Sequence, residues 1–352
     1  MRVLVVGDVH WSEYSSIIRK RGDKYSKRLE NLINSLNWVE DLAEQQGVDK
    51  VIFLGDFFDK QTLNAGEISA LQEVIWANIP HDFIVGNHEG LNETLDISSA
   101  HIFKLIPNVR VIDKPVFDSG FGYQFLYLPY CKEEDRKSIK YWKDYFTSGY
   151  WTTQEVKHTI VFSHNDVRIQ YGLMPATIGY DIEDIDANCT YFLNGHLHNS
   201  GKFSNKGYNI GNLTGQNFGE DATKYSHCVA LLDTNNPIQL NFIENPYAFN
   251  FYKVEIKNSV SELCINDMKD NAIVTVKSPE DLVSDVRQLL ENSCDKIKEF
   301  RVIAIPNRQL SEDGKDETVI ESVNHLEEFV TFVKNSIDMT PVVIEELSEV
   351  CK

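Results

Sequence analysis

Short motifs rich in histidine, aspartate and asparagine recur five times before residue 200. In chain order they are Gly7-Asp8-Val9-His10, Gly55-Asp56-Phe57-Phe58-Asp59, Gly86-Asn87-His88-Glu89, Ser163-His164-Asn165 and Gly195-His196-Leu197-His198. Carboxylate, imidazole and amide groups without cysteine form donor sets that suit divalent ions, which keep open positions for water. The motifs therefore predict metal-ion chemistry.

The residue types also indicate which reaction the metals would serve. Two divalent ions about 3.5–4 Å apart can bind both the attacking and the leaving oxygens of an in-line displacement at phosphorus. Such a pair needs a bridging carboxylate, and we predict that Asp56 provides it. Glycine precedes Asp8, Asp56, Asn87 and His196, at positions where a side chain would crowd the metals or need an unfavourable φ. The pattern predicts a two-metal phosphoesterase site.

An apolar run of strand character precedes each motif, at residues 3–6, 51–54, 83–85, 159–162 and 191–193. Buried strands of this kind present the residues that follow them at one edge of a sheet. Helical periodicity at residues 29–43 and 68–75 predicts right-handed crossovers between the first three strands. The aromatic-rich residues 121–128 predict a strand of a second sheet.

The five motifs in this order resemble those of the calcineurin-like metallophosphoesterase superfamily. The resemblance implies an α/β (α+β) fold, a two-sheet αββα sandwich. It implies two divalent ions, with Mn²⁺ expected and Mg²⁺ as the alternative. It implies one metal site formed by Asp8, His10, Asp56 and His198, and a second formed by Asp56, Asn87, His164 and His196. It also implies that His88 contacts the scissile phosphate and protonates the leaving oxygen.

Residues outside this ligand set have less specific interpretations. Asp59 either orients a metal ligand from behind it or caps a turn. The remaining histidines are predicted to be structural or surface residues: His81, His101, His158, His227 and His325.

Residues after the last metal motif indicate which branch of the superfamily the chain resembles. Residues 208–212, followed by Asn217-Phe218-Gly219-Glu220, are similar to the segment that closes the catalytic domain of SbcD-type nucleases. Asn212 departs from the usual Ser of those nucleases, and Glu89 from their more frequent Asp. Phosphoprotein phosphatases share this Glu, but they have Arg-Gly where Lys60-Gln61 stands here. The resemblance implies a nuclease that degrades duplex ends and cuts single strands endonucleolytically.

The resemblance also divides the chain into a nuclease domain at residues 1–248, a capping domain at 249–310 and a C-terminal helical segment at 311–352. Strand patterns at residues 249–256, 272–276 and 300–305 predict a small α+β module. Ser278 and Pro279 predict the N-cap and first turn of its helix. The apolar stripe of the last segment either packs internally or, as the resemblance implies, binds an SMC-like ATPase. A homodimer within a heterotetramer is the implied assembly.

Charge limits how such a protein could hold DNA. The formal net charge of −19 over 352 residues argues against a broad non-specific DNA-binding surface. The densest basic stretch is either a solvated loop or, as we predict, a contact to the DNA backbone; it comprises Arg19, Lys20, Arg21, Lys24, Lys27 and Arg28. Two other functions remain open: a small-molecule phosphodiesterase or phosphoprotein phosphatase, and a non-catalytic scaffold that binds DNA ends.

The cellular environment is predicted from what the sequence lacks. No apolar run approaches the roughly 20 residues of a membrane span, and the first run is too short for a signal peptide. The six cysteines are scattered, without a Cys-x-x-Cys pair, which favours reduced thiols. We expect a cytoplasmic protein with no membrane partner, in a bacterium or, if phage-encoded, in its host.

Overall fold

Strands and helices alternate along the computed structural model, which describes residues 1–18, 21–120, 122–148, 158–169, 177–235 and 238–306. The elements, in chain order, are β1 (Arg2–Val6), α1 (Lys27–Gln45), β2 (Lys50–Phe53), α2 (Ala65–Leu71), β3 (His81–Ile84), β4 (Val109–Ile112), β5 (Val116–Gly120), β6 (Tyr123–Leu128), α3 (Ile139–Thr147), β7 (His158–Ser163), α4 (Ile182–Asn188), β8 (Tyr191–Asn194), β9 (Gly201–Lys202), β10 (Gly207–Asn209), β11 (Cys228–Asp233), β12 (Gln239–Glu244), β13 (Asn250–Glu255), β14 (Ala272–Pro279), α5 (Val283–Glu291) and β15 (Ile297–Ile305). The C-terminal helices predicted for residues 311–352 lie outside the described residues.

Two sheets of six strands carry the motifs. One has the strand order β12-β11-β1-β2-β3-β4 and the other β5-β6-β7-β8-β10-β9. Strands β1 to β4 run parallel, as do β6 to β8. Apolar side chains such as Val5, Ile52 and Phe162 fill the space between the sheets. Because the motif-bearing strands are parallel within each sheet, their carboxyl ends lie at one edge.

Helices cover the outer faces of both sheets. The hydroxyl of Ser26 caps α1 by accepting from the Leu29 amide, and its apolar positions, Leu36 among them, pack with Phe53 of the first sheet. Helix α2 begins with a capping box. Helices α3 and α4 pack on the second sheet, with Ile185 of α4 in its core. The predicted two-sheet sandwich flanked by helices is confirmed.

A third, parallel sheet with the order β13-β14-β15 follows, and α5 packs on one of its faces. It belongs to the same compact unit, Met1–Pro306, as the larger sheets. The predicted helix start at Ser278 is wrong. Strand β14 continues through Pro279 because Ser278 pairs with Ala304 of β15, and α5 begins at Val283. The boundary between residues 248 and 249 stays a prediction.

The described cysteines are free: Cys131, Cys189, Cys228, Cys264 and Cys294. Over the same residues, every helix is too short or too polar to cross a bilayer. The cytoplasmic location stays a prediction.

Candidate metal centre

The five motifs meet where the carboxyl ends of the central strands of both sheets come together. The first three follow β1, β2 and β3, and the last two follow β7 and β8. The structure brings together all seven predicted ligands: Asp8, His10, Asp56, Asn87, His164, His196 and His198. Asp8, His10 and His164 are fully buried, and Asp56 is 2% exposed. A buried cluster of acids and imidazoles therefore lies at the joined sheet edges.

Glycines make the turns into this centre possible, as predicted. Gly55 has a φ of +103°, and a Cβ there would overlap the His164 ring. A Cβ on Gly195 would lie 2.6 Å from Asp8 Oδ1. Left-handed backbone also occurs at three of the ligands themselves, His10 (φ 50°), Asp56 (φ 46°) and His196 (φ 70°). Such non-glycine conformations cost on the order of 1–3 kcal/mol each, so the surrounding packing must hold them.

The first ligand cluster comprises Asp8, His10 and His198, whose ligand atoms lie within 4.8 Å of one another. Asp8 Oδ2 and His10 Nε2 are buried and have no hydrogen-bond partner among the described residues. Leaving such an atom unpaired costs about 1–3 kcal/mol, and more for a charged group. A divalent cation would supply the missing partner, and one carboxylate with two imidazoles suits it.

The second cluster surrounds Nε2 of His164. Its Nδ1 lies 2.8 Å from the Leu54 carbonyl oxygen, which only accepts, so Nδ1 carries the hydrogen. Nε2 faces Asn87 Oδ1 and Asp56 Oδ2, each 3.1 Å away. His196 Nδ1 lies 3.0 Å from the same Asn87 oxygen. Acceptors that converge in this way fit a bound cation.

The charges around His164 also favour a cation. Burial lowers the pKa of His164, but the Asp56 and Asp8 carboxylates outweigh burial and raise the pKa to about 9. Burial likewise raises the pKa of Asp56, yet His164 outweighs it and holds that pKa well below its usual range. The negative field that retains a proton here can retain a metal ion instead.

Asp56 connects the two clusters. Its carboxylate lies within 4.8 Å of ligand atoms of His164 and His196 in one grouping, and of His10 and His88 in another. Asp56 Oδ1 also accepts a hydrogen bond of 2.9 Å from the His88 amide. Asp56 therefore lies between the two clusters, and its bridging of two metal ions stays a prediction.

His88 occupies the open side of the centre, with 40% of its side chain exposed. Nδ1 lies 3.0 Å from the Asp59 carbonyl oxygen and donates to it. Nε2 lies 3.9 Å from Asp56 Oδ2. The exposed ring could contact a substrate bound over the candidate metal sites.

The Asp59 side chain contacts two imidazoles. Its Oδ1 lies 3.1 Å from His10 Nδ1 and 3.7 Å from His88 Nδ1. The His10 contact is at ion-pair distance but is not aligned as a hydrogen bond. A carboxylate placed behind a metal-binding imidazole in this way helps to orient the ring. The geometry favours this interpretation of Asp59 over a turn cap.

Two acids that hold the last motif were not predicted as site residues. Glu220 Oε1 lies 3.3 Å from His198 Nδ1, and Asp166 Oδ1 lies 3.1 Å from His196 Nε2. Asp166 accepts the Nε2–H of His196, which leaves Nδ1 for metal, and Glu220 lies at ion-pair distance from His198. Asp166 could have been noted because it follows His164 by two residues. Glu220 stood in the nuclease-like segment without an assigned role.

Arg28 was predicted to contact DNA, and this prediction is wrong. Arg28 is 3% exposed, and its Nη2 donates a hydrogen bond of 2.9 Å to the His10 carbonyl oxygen. Burial lowers the pKa of its guanidinium, opposed by the charges of Asp59 and Glu220. Arg28 therefore supports the metal motif from inside the protein.

The other described cations of the basic stretch are exposed, but two of them are ion-paired. Lys24 forms an ion pair with Glu73, and Lys27 forms one of 3.0 Å with Glu30. Exposed pairs of this kind contribute little energy and do not exclude a phosphate contact. The other members are the exposed Arg21 and, outside the described residues, Arg19 and Lys20. Their contact with DNA stays a prediction.

We expect Glu220→Gln to weaken Mn²⁺ binding about 10-fold or more, the usual effect of losing a carboxylate behind a metal-binding histidine. The amide keeps the size of the side chain but loses the charge that holds His198. Calorimetric titration with Mn²⁺ measures the change. Glu244→Gln, the same change at an exposed position of β12, is the matched control. Equal affinity in Glu220→Gln and wild type would show that His198 does not depend on this acid.

Comparison with known proteins gives distant structural similarities. A search of the curated proteins found no match. The protein TT1561 of Thermus thermophilus is 12% identical over 69% of this chain and 98% of its own, with a TM-score of 0.41. A novel archaeal phosphodiesterase is 12% identical over 69% and 99%, with a TM-score of 0.34. Purple acid phosphatase PPD1 from yellow lupin (Lupinus luteus) seeds is 14% identical over 70% and 51%, with a TM-score of 0.44.

The family comparison covers the metal centre itself. The calcineurin-like phosphoesterase family matches residues 1–200, which include all seven predicted ligands. The two ligand clusters described above could hold the divalent ions that this family uses. The chain therefore belongs to the calcineurin-like phosphoesterase family and is a metal-dependent phosphoester hydrolase.

Proposed function

We propose that this chain is a two-metal DNA phosphodiesterase, the nuclease subunit of a recombination or repair complex resembling SbcCD. The observation that carries the proposal is Asp56, whose carboxylate lies within 4.8 Å of ligand atoms of His10 in one grouping and of His164 and His196 in another, beside the exposed His88. Two ions bridged by one carboxylate suit an in-line displacement at phosphorus. The chain would act in the cytoplasm as a homodimer within a heterotetramer that contains an SMC-like ATPase.

The nuclease assignment has support from the residues around Glu220. This acid ends the segment, residues 217–220, that resembles SbcD-type nucleases, and it contacts the metal-ligand candidate His198. The resemblance thus extends to a segment that helps to build the metal centre. The small third sheet begins at Asn250, after strands β11 and β12 of the first sheet, where the resemblance expects a capping domain.

The side chains divide the work of hydrolysis. Bound divalent ions, with Mn²⁺ proposed and Mg²⁺ as the alternative, would stabilise charge that develops on the phosphoryl oxygens. Asp8, His10 and His198 hold one side of the centre, with Asp56 between it and the second cluster. His88, with Nδ1 bound to the Asp59 carbonyl, keeps Nε2 directed to the substrate and protonates the leaving oxygen.

The acidic charge favours a second candidate function. A net charge of −19 fits a small phosphodiester or phosphoprotein substrate better than a long polyanion. The ligand clusters serve either substrate equally. A non-catalytic scaffold that binds DNA ends is a third candidate, and metal-dependent turnover by the purified chain would exclude it.

One assay decides between the candidates. The purified chain is incubated with end-labelled linear duplex, with Mn²⁺, Mg²⁺ or EDTA, and in parallel with bis-p-nitrophenyl phosphate. We expect cleavage of both substrates with Mn²⁺ and none with EDTA. Hydrolysis of the small diester with intact DNA would refute the nuclease proposal and favour the second candidate. No hydrolysis of either diester would refute both phosphodiesterase candidates; hydrolysis of p-nitrophenyl phosphate would then favour the phosphoprotein phosphatase, and its absence the scaffold.

A further inference from the structure

The parallel pairing of β7 and β8 ends at Ser163 and Asn194, where the last two motifs begin. The Gly195 amide still donates to the Ser163 carbonyl oxygen at 2.9 Å. Beyond this point the Asn194 side chain continues the pairing. Its Oδ1 accepts from the Asn165 amide at 3.2 Å, and its Nδ2 donates to the Asn165 carbonyl oxygen at 2.9 Å. A side-chain amide therefore takes the place of a backbone amide at the end of these strands.

The two asparagines form a buried pair with one favoured geometry. Both are fully buried. The Asn165 side chain donates to the Leu128 and Pro129 carbonyl oxygens and accepts from the Cys131 amide at 3.0 Å. A reversed Asn194 side chain would place its NH₂ group against the Asn165 N–H, so the contacts fix its orientation. Buried polar groups are costly to leave unpaired, so this arrangement, called the Asn165–Asn194 pair below, should be rigid.

The Asn165–Asn194 pair lies among residues that build the second cluster. His164, a ligand candidate of that cluster, directly precedes Asn165. Asp166 directly follows it, and its Oδ1 accepts from Nε2 of His196 at 3.1 Å. Asn194 itself stands two residues before His196. The pair therefore holds the backbone from which one imidazole and the carboxylate behind the other imidazole both extend.

We infer that Asn194 is a positioning residue of the second cluster, which holds His164 and Asp166 in the directions that metal binding requires. Asn194 stands in none of the five motifs, and both polar atoms of its side chain bind Asn165, so it acts through the backbone rather than as a ligand. His164 Nδ1 also donates to the Leu54 carbonyl oxygen, so loss of the pair should weaken the site rather than abolish it. The inference concerns the metal centre and does not depend on DNA as the substrate.

The variant Asn194→Leu tests the inference in the full chain, because leucine has nearly the same size but forms neither hydrogen bond. We expect one of the two Mn²⁺ ions to bind about 10- to 100-fold more weakly, the usual effect of losing a group that orients a metal ligand from behind. The other ion should bind as in the wild type. Calorimetric titration with Mn²⁺ measures both affinities. At a fixed Mn²⁺ concentration, the electron paramagnetic resonance spectrum should change from that of a coupled pair towards that of a single ion.

A second variant and a matched control separate positioning from stability. Asn194→Ser keeps a hydroxyl that can satisfy at most one of the two Asn165 groups, so it should weaken binding of the same ion by less. This variant decides the question if circular dichroism shows that Asn194→Leu does not fold. Asn250→Leu is the control, since the buried Asn250 side chain donates to the Ala248 and Asp270 carbonyl oxygens at the start of β13. It should lower the melting temperature without changing Mn²⁺ binding.

The outcomes are distinct from those of the nuclease assay. Wild-type Mn²⁺ affinities and a coupled spectrum in the folded Asn194 variants would overturn the inference and leave the pair as a contact that only stabilises the fold. An equal loss of Mn²⁺ in Asn250→Leu would also overturn it, because metal binding would then follow overall stability. A wild type that binds a single Mn²⁺ would lack the second site, and the inference would fall with it. None of these measurements uses DNA, so the inference can fail while the nuclease proposal stands.

Discussion

Asp56→Asn is expected to leave the protein with one bound divalent ion or fewer and to reduce phosphodiester turnover by orders of magnitude. The carboxylate lies within reach of ligand atoms in both clusters, so its loss should weaken both metal sites at once. Asparagine has nearly the same shape and tolerates the left-handed backbone at this position, where φ is 46°. The fold should therefore persist. Metal content by mass spectrometry after desalting, together with turnover, measures the effect.

Two comparisons make the Asp56 result specific. His10→Gln changes a ligand candidate predicted for one metal only, so it should lose less metal than Asp56→Asn. Asp233→Asn repeats the chemical change at the end of β11, where Asp233 pairs with Arg2 at the far end of β1. This control should keep the wild-type metal content. Wild-type metal content in Asp56→Asn would contradict the bridging assignment.

The second large effect concerns proton transfer. His88→Ser should retain both metal ions but cleave DNA about 10²–10⁴ times more slowly, the usual loss when a general acid is removed. The ring is 40% exposed, so its removal should disturb packing little. A p-nitrophenolate leaving group needs little protonation. Hydrolysis of bis-p-nitrophenyl phosphate should therefore fall much less than DNA cleavage.

The leaving-group comparison separates this role from a structural one. His101→Ser, which removes an imidazole that lies 3.2 Å from Asp113 and in no motif, is the control and should leave turnover and metal content unchanged. Loss of metal in His88→Ser would show that His88 acts as a ligand. Equal losses on both substrates, with metal retained, would show that His88 does not protonate the leaving oxygen.

The positions of the candidate ligands followed from local sequence. Each motif comes directly after an apolar strand, and parallel strands bring their carboxyl ends to one edge, so short-range patterns were sufficient. The glycines gave the same indication, because the turn at Gly55 requires a positive φ and close approach to His164. The place of Asp56 in the second motif predicted a bridging role, which stays a prediction; the structure shows its carboxylate near His10 in one grouping and near His164 in another.

Contacts between the motif residues and side chains from distant parts of the chain could not be predicted from local sequence. Glu220 reaches His198 only after β10 and the loop that follows it have returned the chain to the centre. Arg28 illustrates the opposite error. The sequence of a basic stretch does not show which cation is buried. Arg28 is buried and donates to the His10 carbonyl oxygen. Such contacts depend on tertiary packing.

The prediction of where α5 begins was wrong for a related reason. Ser278 and Pro279 form a favourable local signal for a helix N-terminus. Pairing with Ala304 and Ile305 of β15 keeps both residues extended, so a 3₁₀ turn follows at Glu280–Leu282 and α5 begins at Val283. Sheet pairing between distant segments outweighs the capping preference, which contributes only about 1 kcal/mol.

Anomalous diffraction from crystals of the Mn²⁺-loaded protein tests the central claim most directly. The account predicts two Mn²⁺ peaks about 3.5–4 Å apart, with a carboxylate oxygen of Asp56 bound to both. One peak should contact Asp8, His10 and His198, and the other Asn87, His164 and His196. A single peak, or two peaks that do not share Asp56, would contradict the two-metal centre.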